Sequence, residues 1–259
     1  MANSRFEYVK TFEKQHQAIP ETYIVIRIDG RGFTKFCNKH KFKKPNDDNA
    51  LLLMNEAAKA VFHTDNFPSG SLTCAYGHSD EYSFIFCRKS DIFDRRLDKI
   101  MSLVVSIFSS AYVFHWTKYF PETKLQFPPS FDARWVEYPN YTTIRDYISW
   151  RQADAHINNQ YNYCFWKLWE SNEFTSKNEV QLKLKNTVTK DKNEILFSKF
   201  GINYNDLPEM HRKGTIIYRR KAKSSQVEIE HCDVIRDEFW NDKPWLLSDL
   251  KRGRNVEKN

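Results

Sequence analysis

Short apolar runs in the first half of the chain predict β-strands. The clearest run, at Tyr23–Asp29, reads YIVIRID, is rich in β-branched side chains and stops at Gly30. Two later runs flank the segment Gly77–Asp80, and this spacing predicts a hairpin. The predicted strands are Tyr23–Asp29, Leu72–Tyr76, Glu81–Cys87 and Phe131–Tyr138.

Between these strands, apolar residues recur at helical spacing. Asn46–Phe62 predicts a helix that Asn46 or Asp47 can cap at its N-terminus, and Asp94–Trp116 predicts a second one. The order over residues 20–140 is therefore β-α-β-β-α-β. This order predicts an α+β fold with a ferredoxin-like core, in which helices form a layer on an antiparallel sheet.

The sequence pattern changes after residue 140. Thr142–Trp169 predicts a mainly helical segment that contains the polar run RQADAHINNQ. We expect a loop and a short helix over residues 171–194, two strands over 215–235, and a frayed charged tail at Lys251–Asn259. The predicted division is a core over 1–140, a mainly helical part over 141–215, and C-terminal strands with the tail over 216–259.

Composition indicates a globular protein and excludes several classes. Of the 259 residues, 41% are hydrophobic and 28% are charged. We see no signal peptide and no apolar run of the roughly 20 residues that span a membrane, so we predict no membrane partner. The 5 cysteines include no CxxC pair, which favours reduced thiols in a cytoplasmic or nuclear compartment over a disulfide framework or a zinc site.

The chain carries 40 Lys and Arg against 33 Asp and Glu, a net charge of +7. A basic surplus of this kind fits a polyanionic partner such as nucleic acid. Ordinary solubility charge explains the surplus equally well, so charge alone does not decide between these interpretations.

The positions of three acidic residues suggest a site. Asp29 ends the first strand, while Asp80 and Glu81 lie in the hairpin turn. Since the first and third strands of a ferredoxin-like sheet are neighbours, Asp29 and Asp80 are expected to lie within reach of one ion. Paired carboxylates suit Mg²⁺ or Mn²⁺, and two such ions about 4 Å apart can activate a hydroxyl and stabilise a leaving pyrophosphate. The alternative is that these acids are ordinary solvated turn residues.

The glycines that follow the first strand add to this picture. In the segment DGRGFT, Gly30 and Gly32 allow the backbone to approach a triphosphate, and successive N–H groups there can bind phosphate oxygens. A short glycine turn is common, however, and the segment is a weak signal on its own.

Six motifs then occur in order between Ser4 and Thr215. Together they resemble the histidine-tRNA guanylyltransferase family of 3′–5′ nucleotide-adding enzymes. The likeness is greatest to its eukaryotic members, the fungal ones in particular. The segment Phe62–Cys74 and the part after Tyr218 do not match the family pattern. The motifs are IRIDGRGFTKF, KKPND, GHSDEYSFIF, SWRQADAHINN, DKNEILFSKFGINYN and HRKGT.

The resemblance implies a polymerase-like palm and a three-step reaction. ATP adenylylates the 5′-monophosphate of histidine tRNA, the 3′-hydroxyl of GTP displaces AMP, and pyrophosphate is then removed. It implies that Asp29, the Gly30 carbonyl and Asp80 hold two Mg²⁺ ions. The implied catalytic residues are Asp29, Lys44, Ser79, Asp80 and Glu81. The implied nucleotide-binding residues are Asp29, Gly30, Arg31, Gly32, Phe33, Thr34, Ser79, Asp80, Lys99 and Arg134.

Binding of tRNA needs further groups. Arg27 lies within an apolar strand, where its charge requires a phosphate or a carboxylate as partner. The helical part resembles fingers that contact the histidine anticodon. Because the anticodon and the 5′ end lie far apart in a tRNA, several subunits must share one tRNA, and the family resemblance suggests a homotetramer. The predicted tRNA-binding residues are Arg27, His156, Asn159, Lys190 and Lys213.

Three alternatives stay open at this point. The polar helix can be a structural or oligomer-contact element. A nucleotidyl cyclase would use the same two acids and the same metals, but it would join the 3′-hydroxyl of a nucleotide to its own α-phosphate without RNA. A catalytically silent tRNA-binding protein on the same scaffold is the third. We expect a cytoplasmic protein, with nuclear or mitochondrial sites as further options.

Overall fold

The computed structural model describes residues 4–68, 70–221 and 224–247, and these contain one six-stranded antiparallel sheet. The predicted tail Lys251–Asn259 lies outside the described residues. The strands are β1 (Tyr23–Gly30), β2 (Leu72–His78), β3 (Glu81–Phe86), β4 (Phe131–Tyr138), β5 (Thr215–Arg219) and β6 (Val227–Glu230). All predicted strands are confirmed, including the two in the region 215–235.

The strand order is β4-β1-β3-β2-β5-β6. β1 and β3 are neighbours, as the sequence predicted, and β1 also pairs with β4 on its other side. The last two strands extend the sheet beyond β2. Because the sequence pattern carries no information on pairing between distant strands, this extension was not predicted.

The longer helices lie where the apolar spacing placed them, with changes at their ends. The helices are α1 (Phe33–Lys39), α2 (Asp48–Phe62), α3 (Leu97–Phe114), α4 (Trp116–Tyr119), α5 (Tyr141–Glu170), α6 (Lys177–Leu184), α7 (Thr189–Phe200), α8 (Glu209–Lys213) and α9 (Asp237–Asp242). Single 3₁₀ turns occupy Glu7–Phe12, Ile92–Arg95 and Tyr204–Asp206. Asp47 caps α2 by accepting a hydrogen bond from the N–H of Ala50.

Two helical predictions need correction. The helix predicted at Asp94–Trp116 begins only at Leu97, because Phe93, Asp94 and Arg95 have positive φ angles that a right-handed helix excludes. Over residues 171–194 one short helix was predicted, and the structure has α6 there together with the start of a second helix, α7, which was not predicted. The pattern in α7 is weak because only two of its side chains are buried.

Each face of the sheet packs against helices, and the two faces form separate hydrophobic clusters. Ile24, Ile26 and Ile28 of β1 face α2 and α3. The alternating residues Tyr23 and Val25 face the first turns of α5. A third cluster joins the C-terminal half of α5 to α6 and α7, beyond the sheet. The helix α5 therefore connects the sheet to the helical part.

The helix α3 is long and apolar enough to cross a membrane by length and composition alone. In this fold, however, Ile100, Val104 and Phe108 are fully buried against the sheet. One third of the helix is buried, so one face packs on the core while the other positions are half-buried or exposed.

Candidate active site

The C-terminal end of β1 and the turn between β2 and β3 meet at one edge of the sheet. Asp29 lies directly opposite Glu81 in the β1–β3 register, and the N–H of Gly30 donates to the carbonyl oxygen of Asp80 at 3.1 Å. Ser79 and Asp80 form the two-residue turn, in which Ser79 has a φ of 56°. The predicted adjacency of these two segments is thus confirmed.

The two carboxylates at this edge repel each other. Burial and the nearby charge of Asp29 raise the pKa of Asp80 from 3.8 to about 6. The hydroxyl of Ser79 donates to Oδ1 of Asp80 at 3.0 Å, which opposes the rise. No side chain among the described residues forms an ion pair with Asp29 or Asp80.

This arrangement fits a divalent cation. No group of three or more His, Cys, Asp or Glu side chains suited to a metal occurs in the described part of the chain. Mg²⁺ needs fewer protein ligands than that, because it binds one or two carboxylates and completes its shell with water and phosphate. Asp29 and Asp80 offer hard oxygen ligands whose mutual repulsion a cation would relieve.

The backbone after β1 provides hydrogen-bond donors beside the acids. Gly32 has a φ of 64°, and helical residues follow it directly. The N–H groups of Gly30 and Arg31 are already bonded to Asp80 and Ser130. The next N–H groups, those of Gly32, Phe33 and Thr34, have no hydrogen-bond acceptor among the described residues. A left-handed residue followed by helical ones forms a concave turn that can bind an anion, and the N–H groups free to do so begin at Gly32 rather than at Gly30.

A cavity of about 350 Å³ opens beside Ser79 and Asp80. Its walls come from α1, the loop before α2, the first turns of α2 and the C-terminal half of α5. Lys44 lies in its lining, with Nζ 5.7 Å from the ring centroid of Trp166. Phe33 and Thr34 also line the cavity, and the ring of Phe33 packs on the core and stacks on Phe36 as well. The cavity therefore combines an acidic edge, a lysine and aromatic walls.

Glu81 is held by two arginines. Nη1 of Arg151, from α5, donates to both carboxylate oxygens of Glu81 at 3.2 and 3.1 Å. Nε of Arg27 lies 3.7 Å from Glu81 Oε2. The expected partner of Arg27 is thus a carboxylate in this structure, and the charge of Glu81 is balanced by cations of the chain itself.

Arg134 and Lys99, the two basic residues predicted to bind the triphosphate, lie at different distances from Asp29. Arg134 pairs with Arg27 across β1 and β4, on the sheet face of Asp29, and its exposed guanidinium lies 3.5 Å from Asp132. Lys99 lies in the first turn of α3 with Nζ over the ring of Phe93. It precedes Phe108, the α3 residue that packs on Phe131 near the active-site edge, by about 14 Å of helix. One chain therefore does not bring Lys99 to Asp29.

Two of the predicted tRNA-binding residues lie around one open groove. Lys190 and Tyr204 line a groove of about 720 Å³ formed by α7 and the following loop. The ring of His156 lies 5.2 Å from that of Tyr204, and burial together with Arg212 lowers the pKa of His156. The side chain of Phe197 in the same groove is largely exposed.

Two other predicted tRNA-binding residues have structural partners. Asn159 is only 1% exposed, and its amide bonds to Asn46 and Tyr204, so its side chain is not a surface contact. The ammonium of Lys213 pairs with Glu209 at 2.7 Å on α8. Burial of Asn159 follows from its position on the side of α5 that faces the loop before α2, which an isolated polar motif does not reveal.

Sequence reasoning missed Arg151 and Asp132. Arg151 lies within the motif SWRQADAHINN, and its charge within a buried helical stretch could have indicated a carboxylate partner. Asp132 is the partner of Asp29 across β1 and β4, and only the strand register reveals this.

Comparison with known proteins agrees with these observations. Residues 6–139 match the family model described as tRNAHis guanylyltransferase, and residues 142–245 match the Thg1 C terminal domain. The chain is 45% identical to the tRNA(His) guanylyltransferase of Neurospora crassa, with 96% of this chain and 97% of that protein covered. It is 47% identical to that of Schizosaccharomyces pombe, with 95% and 98% covered.

Solved structures show the same fold. The crystal structure of the tRNA(His) guanylyltransferase from Saccharomyces cerevisiae superposes with a TM-score of 0.80 at 41% identity, covering 92% of this chain and all of the other. A bacterial guanylyltransferase-like protein in complex with ATP gives 0.76 at 22% identity, covering 94% of this chain and 99% of the other, and shows the fold alone. Because the family models and these relatives extend over nearly the whole chain, it belongs to the tRNA(His) guanylyltransferase family of nucleotidyltransferases.

Proposed function

We propose that this chain adds a single guanylate to the 5′ end of histidine tRNA by 3′–5′ addition. The observation that carries the proposal is the meeting of Asp29 and Asp80 at one sheet edge, beside a cavity that contains Lys44 and Ser79. Family membership supplies the reaction, and the geometry supplies groups for each of its substrates.

The fold supports a palm-like interpretation. The order β4-β1-β3-β2, with α2 and α3 on one face, is that of a ferredoxin-like sheet, the arrangement expected of a polymerase palm. The acids lie at the end of a central strand and in a tight turn, two places where the backbone is held by hydrogen bonds.

Asp29, Asp80 and the Gly30 carbonyl would hold Mg²⁺, with two ions as the expected number. When bound, such ions stabilise negative charge on the attacking and leaving oxygens of phosphoryl transfer. The remaining tasks fall to the chain itself. The free N–H groups of Gly32–Thr34 bind phosphate oxygens, and Lys44 places a positive charge in the cavity. We assign this cavity to the nucleotide, ATP during activation or GTP, with its base against Trp166.

A direct assay tests the proposal. Purified protein is incubated with Mg²⁺, ATP, labelled GTP and 5′-monophosphorylated histidine tRNA, beside a phenylalanine tRNA control. We expect extension by one nucleotide at the 5′ end of the histidine tRNA alone. Release of a cyclic nucleotide without extension would assign the chain to the cyclases, and binding of tRNA with neither product would leave a silent tRNA-binding protein.

We further propose a homotetramer in which subunits share one tRNA. For 259 residues the expected radius of gyration is roughly 18 Å, too small for one chain to contact both the 5′ end and the anticodon. Lys99 also lies too far along α3 to serve Asp29 of its own chain. A second copy can bring it there.

Mixing two inactive variants tests this assembly. Asp29→Ala and Lys99→Ala proteins, unfolded together and refolded as mixed oligomers, should recover part of the wild-type activity, because some sites then combine an intact Asp29 with an intact Lys99 from another subunit. Refolded samples of either variant alone are the controls, and light scattering gives the oligomeric state. A monomer, or a mixture no more active than its parts, would contradict the proposal.

A further inference from the structure

A tryptophan with one free ring face lies next to the candidate active site. Trp150 on α5 is 55% exposed. The guanidinium carbon of Arg151 lies 3.5 Å from its ring centroid and covers one face of the indole. Tyr147 approaches the ring edgewise, at 6.3 Å between centroids. The ring is thus held in place while its opposite face remains open to solvent.

This ring is tied to the acidic edge through a short chain of contacts. Arg151, which is almost fully buried, donates to both carboxylate oxygens of Glu81. Glu81 in turn lies directly opposite Asp29 across β1 and β3. The position of Trp150 relative to Asp29 is therefore set by a partly buried ion pair between α5 and β3.

Cations on the same side of the sheet complete the surface. Arg27 lies directly opposite Arg134 across β1 and β4. Because Arg27 is two residues from Asp29 on β1, all three side chains lie on the same face of the sheet. Nε of Arg27 is buried and pairs with Glu81 at 3.7 Å, but among the described residues it has no hydrogen-bond acceptor. The exposed guanidinium of Arg134 has Asp132 as its ion-pair partner at 3.5 Å. Guanidinium groups on the sheet face that packs against α5, together with an open aromatic ring on that helix, are a combination that can bind the phosphates and the base of a nucleotide.

We propose that Trp150 stacks on a nucleobase whose phosphates lie against Arg27 and Arg134. This inference rests on the proposed function and deepens it. The cavity that contains Lys44 does not include Trp150, Arg27 or Arg134, so the two surfaces are separate. A reaction that joins a nucleoside triphosphate to a tRNA end needs room for a second nucleotide, and this surface provides it.

The chemistry admits two sources for that base, the GTP and the terminal nucleotide of the tRNA. A separate measurement of each substrate distinguishes them. Stacking on one aromatic ring contributes about 1–3 kcal/mol per base by alanine substitution. We therefore expect Trp150→Ala to raise the KM for one of the two substrates on the order of tenfold, with a smaller change in kcat.

The matched controls separate stacking from packing. Trp150→Phe keeps a flat ring over Arg151 and should recover most of the affinity. Trp135→Ala removes another exposed tryptophan, 36% exposed, which lies next to Arg134 on β4 and so points to the opposite face of the sheet. It should leave both KM values unchanged. If the Trp150→Ala variant instead lost activity only because Arg151 was held less firmly, kcat and the melting temperature would fall and neither KM would rise selectively. That result would contradict the inference.

Equilibrium binding of labelled GTP and of 5′-monophosphorylated histidine tRNA, measured with Ca²⁺ in place of Mg²⁺, keeps the test independent of turnover. Weaker GTP binding by the alanine variant identifies the GTP base, and weaker tRNA binding identifies the tRNA end. Unchanged binding of both would overturn the inference even if the wild-type protein adds guanylate. If the wild-type protein binds but does not add guanylate, a dependence on Trp150 still supports the inference while the proposed function fails.

Discussion

At the scale of single residues, the ionised carboxylate of Asp80 destabilises the folded protein, and a bound cation would relieve that effect. Burial and the charge of Asp29 raise its pKa to about 6, so the folded chain binds this proton more tightly than the unfolded chain does. Its contribution to the free energy of unfolding therefore falls as the pH rises from about 4 to about 6 and stays unfavourable above that range.

We accordingly expect Asp80→Asn to stabilise the protein at pH 7 in the presence of EDTA. The increase in the free energy of unfolding should be about 3 kcal/mol, since the pKa rises from 3.8 to about 6 and each pK unit corresponds to 1.36 kcal/mol, and it should vanish below pH 4. Urea denaturation at both pH values measures it, with Asp65→Asn at an exposed position as the control. A lower stability of the Asp80 variant at pH 7 would show that its carboxylate is compensated in another way.

Asp29 offers the complementary test of chemistry against structure. Asp29→Ala should lower the rate of guanylate addition at least about 10³-fold, because positioned charges of this kind account for much of the catalytic effect in phosphoryl transfer. The affinity for tRNA should change less than about twofold, because most tRNA contacts lie elsewhere. Single-turnover kinetics and filter binding measure the two quantities. Loss of tRNA binding would instead assign Asp29 a structural role.

At the scale of elements, the end of β1 is so tightly packed that it has no room for a side chain at Gly30. A Cβ at Gly30 would lie 2.5 Å from the Phe33 ring and 2.9 Å from Cβ of Asp80. Gly201, at the end of α7, has a φ of 64° and open space around it. Substituting alanine at Gly30 therefore tests the effect of a steric clash on stability, and the same substitution at Gly201 tests the effect of a left-handed backbone.

Gly30→Ala should destabilise the protein by about 1–3 kcal/mol and strongly reduce activity, since the Asp80 turn must move away from β1. Gly201→Ala should cost about 1 kcal/mol through its backbone conformation and leave activity nearly unchanged. Thermal melts and the addition assay on both variants provide the comparison. Equal losses of activity would show that the space at Gly30 does not matter for the site.

The ion pair between α5 and β3 gives a further prediction. Arg151→Met should lower the free energy of unfolding by about 2 kcal/mol, because Glu81 keeps only the longer contact to Arg27. Adding Glu81→Gln should restore part of that loss by removing the poorly paired charge. Denaturation of the single and double variants forms the test, and strictly additive losses would contradict it.

Much of the element order follows from local pattern. Four strands and the long helices have clear periodicity, and the adjacency of Asp29 and Asp80 follows once their order is recognised. Contacts between residues far apart in the sequence could not be predicted in this way. Examples are the hydrogen bonds from Arg151 to Glu81 and the burial of Asn159. Conversely, α3 was predicted too long, because the positive φ angles before Leu97 leave no mark on hydrophobic spacing.

At the scale of the whole molecule, one surface groove places a lysine beside aromatic side chains, with Glu194 also in its lining. Lys190 lines the exposed groove between α7 and the following loop, beside the aromatic side chains of Phe197 and Tyr204. Basic and aromatic groups arranged in this way are typical of surfaces that bind single-stranded RNA loops.

We expect tRNA affinity to fall steeply with salt, and Lys190→Ala to reduce the slope of log K against log salt concentration by about one. The exposed Lys89, in the loop that follows β3, serves as the control and should leave the slope unchanged. Titrations at several salt concentrations give both slopes. An unchanged slope for the Lys190 variant would place the phosphate contacts elsewhere.

The helix α5 is a single unbroken rod of 30 residues, about 45 Å long. About a third of the way along, Arg151 binds Glu81, the acid opposite Asp29, and two turns later Asn159 accepts a hydrogen bond from Asn46 in the loop that carries Lys44. Its far half forms the cluster on which the Lys190 groove is built. Because one continuous helix carries all three contacts, we expect a displacement of its far half to be transmitted to the ion pair on Glu81 and to the loop that carries Lys44.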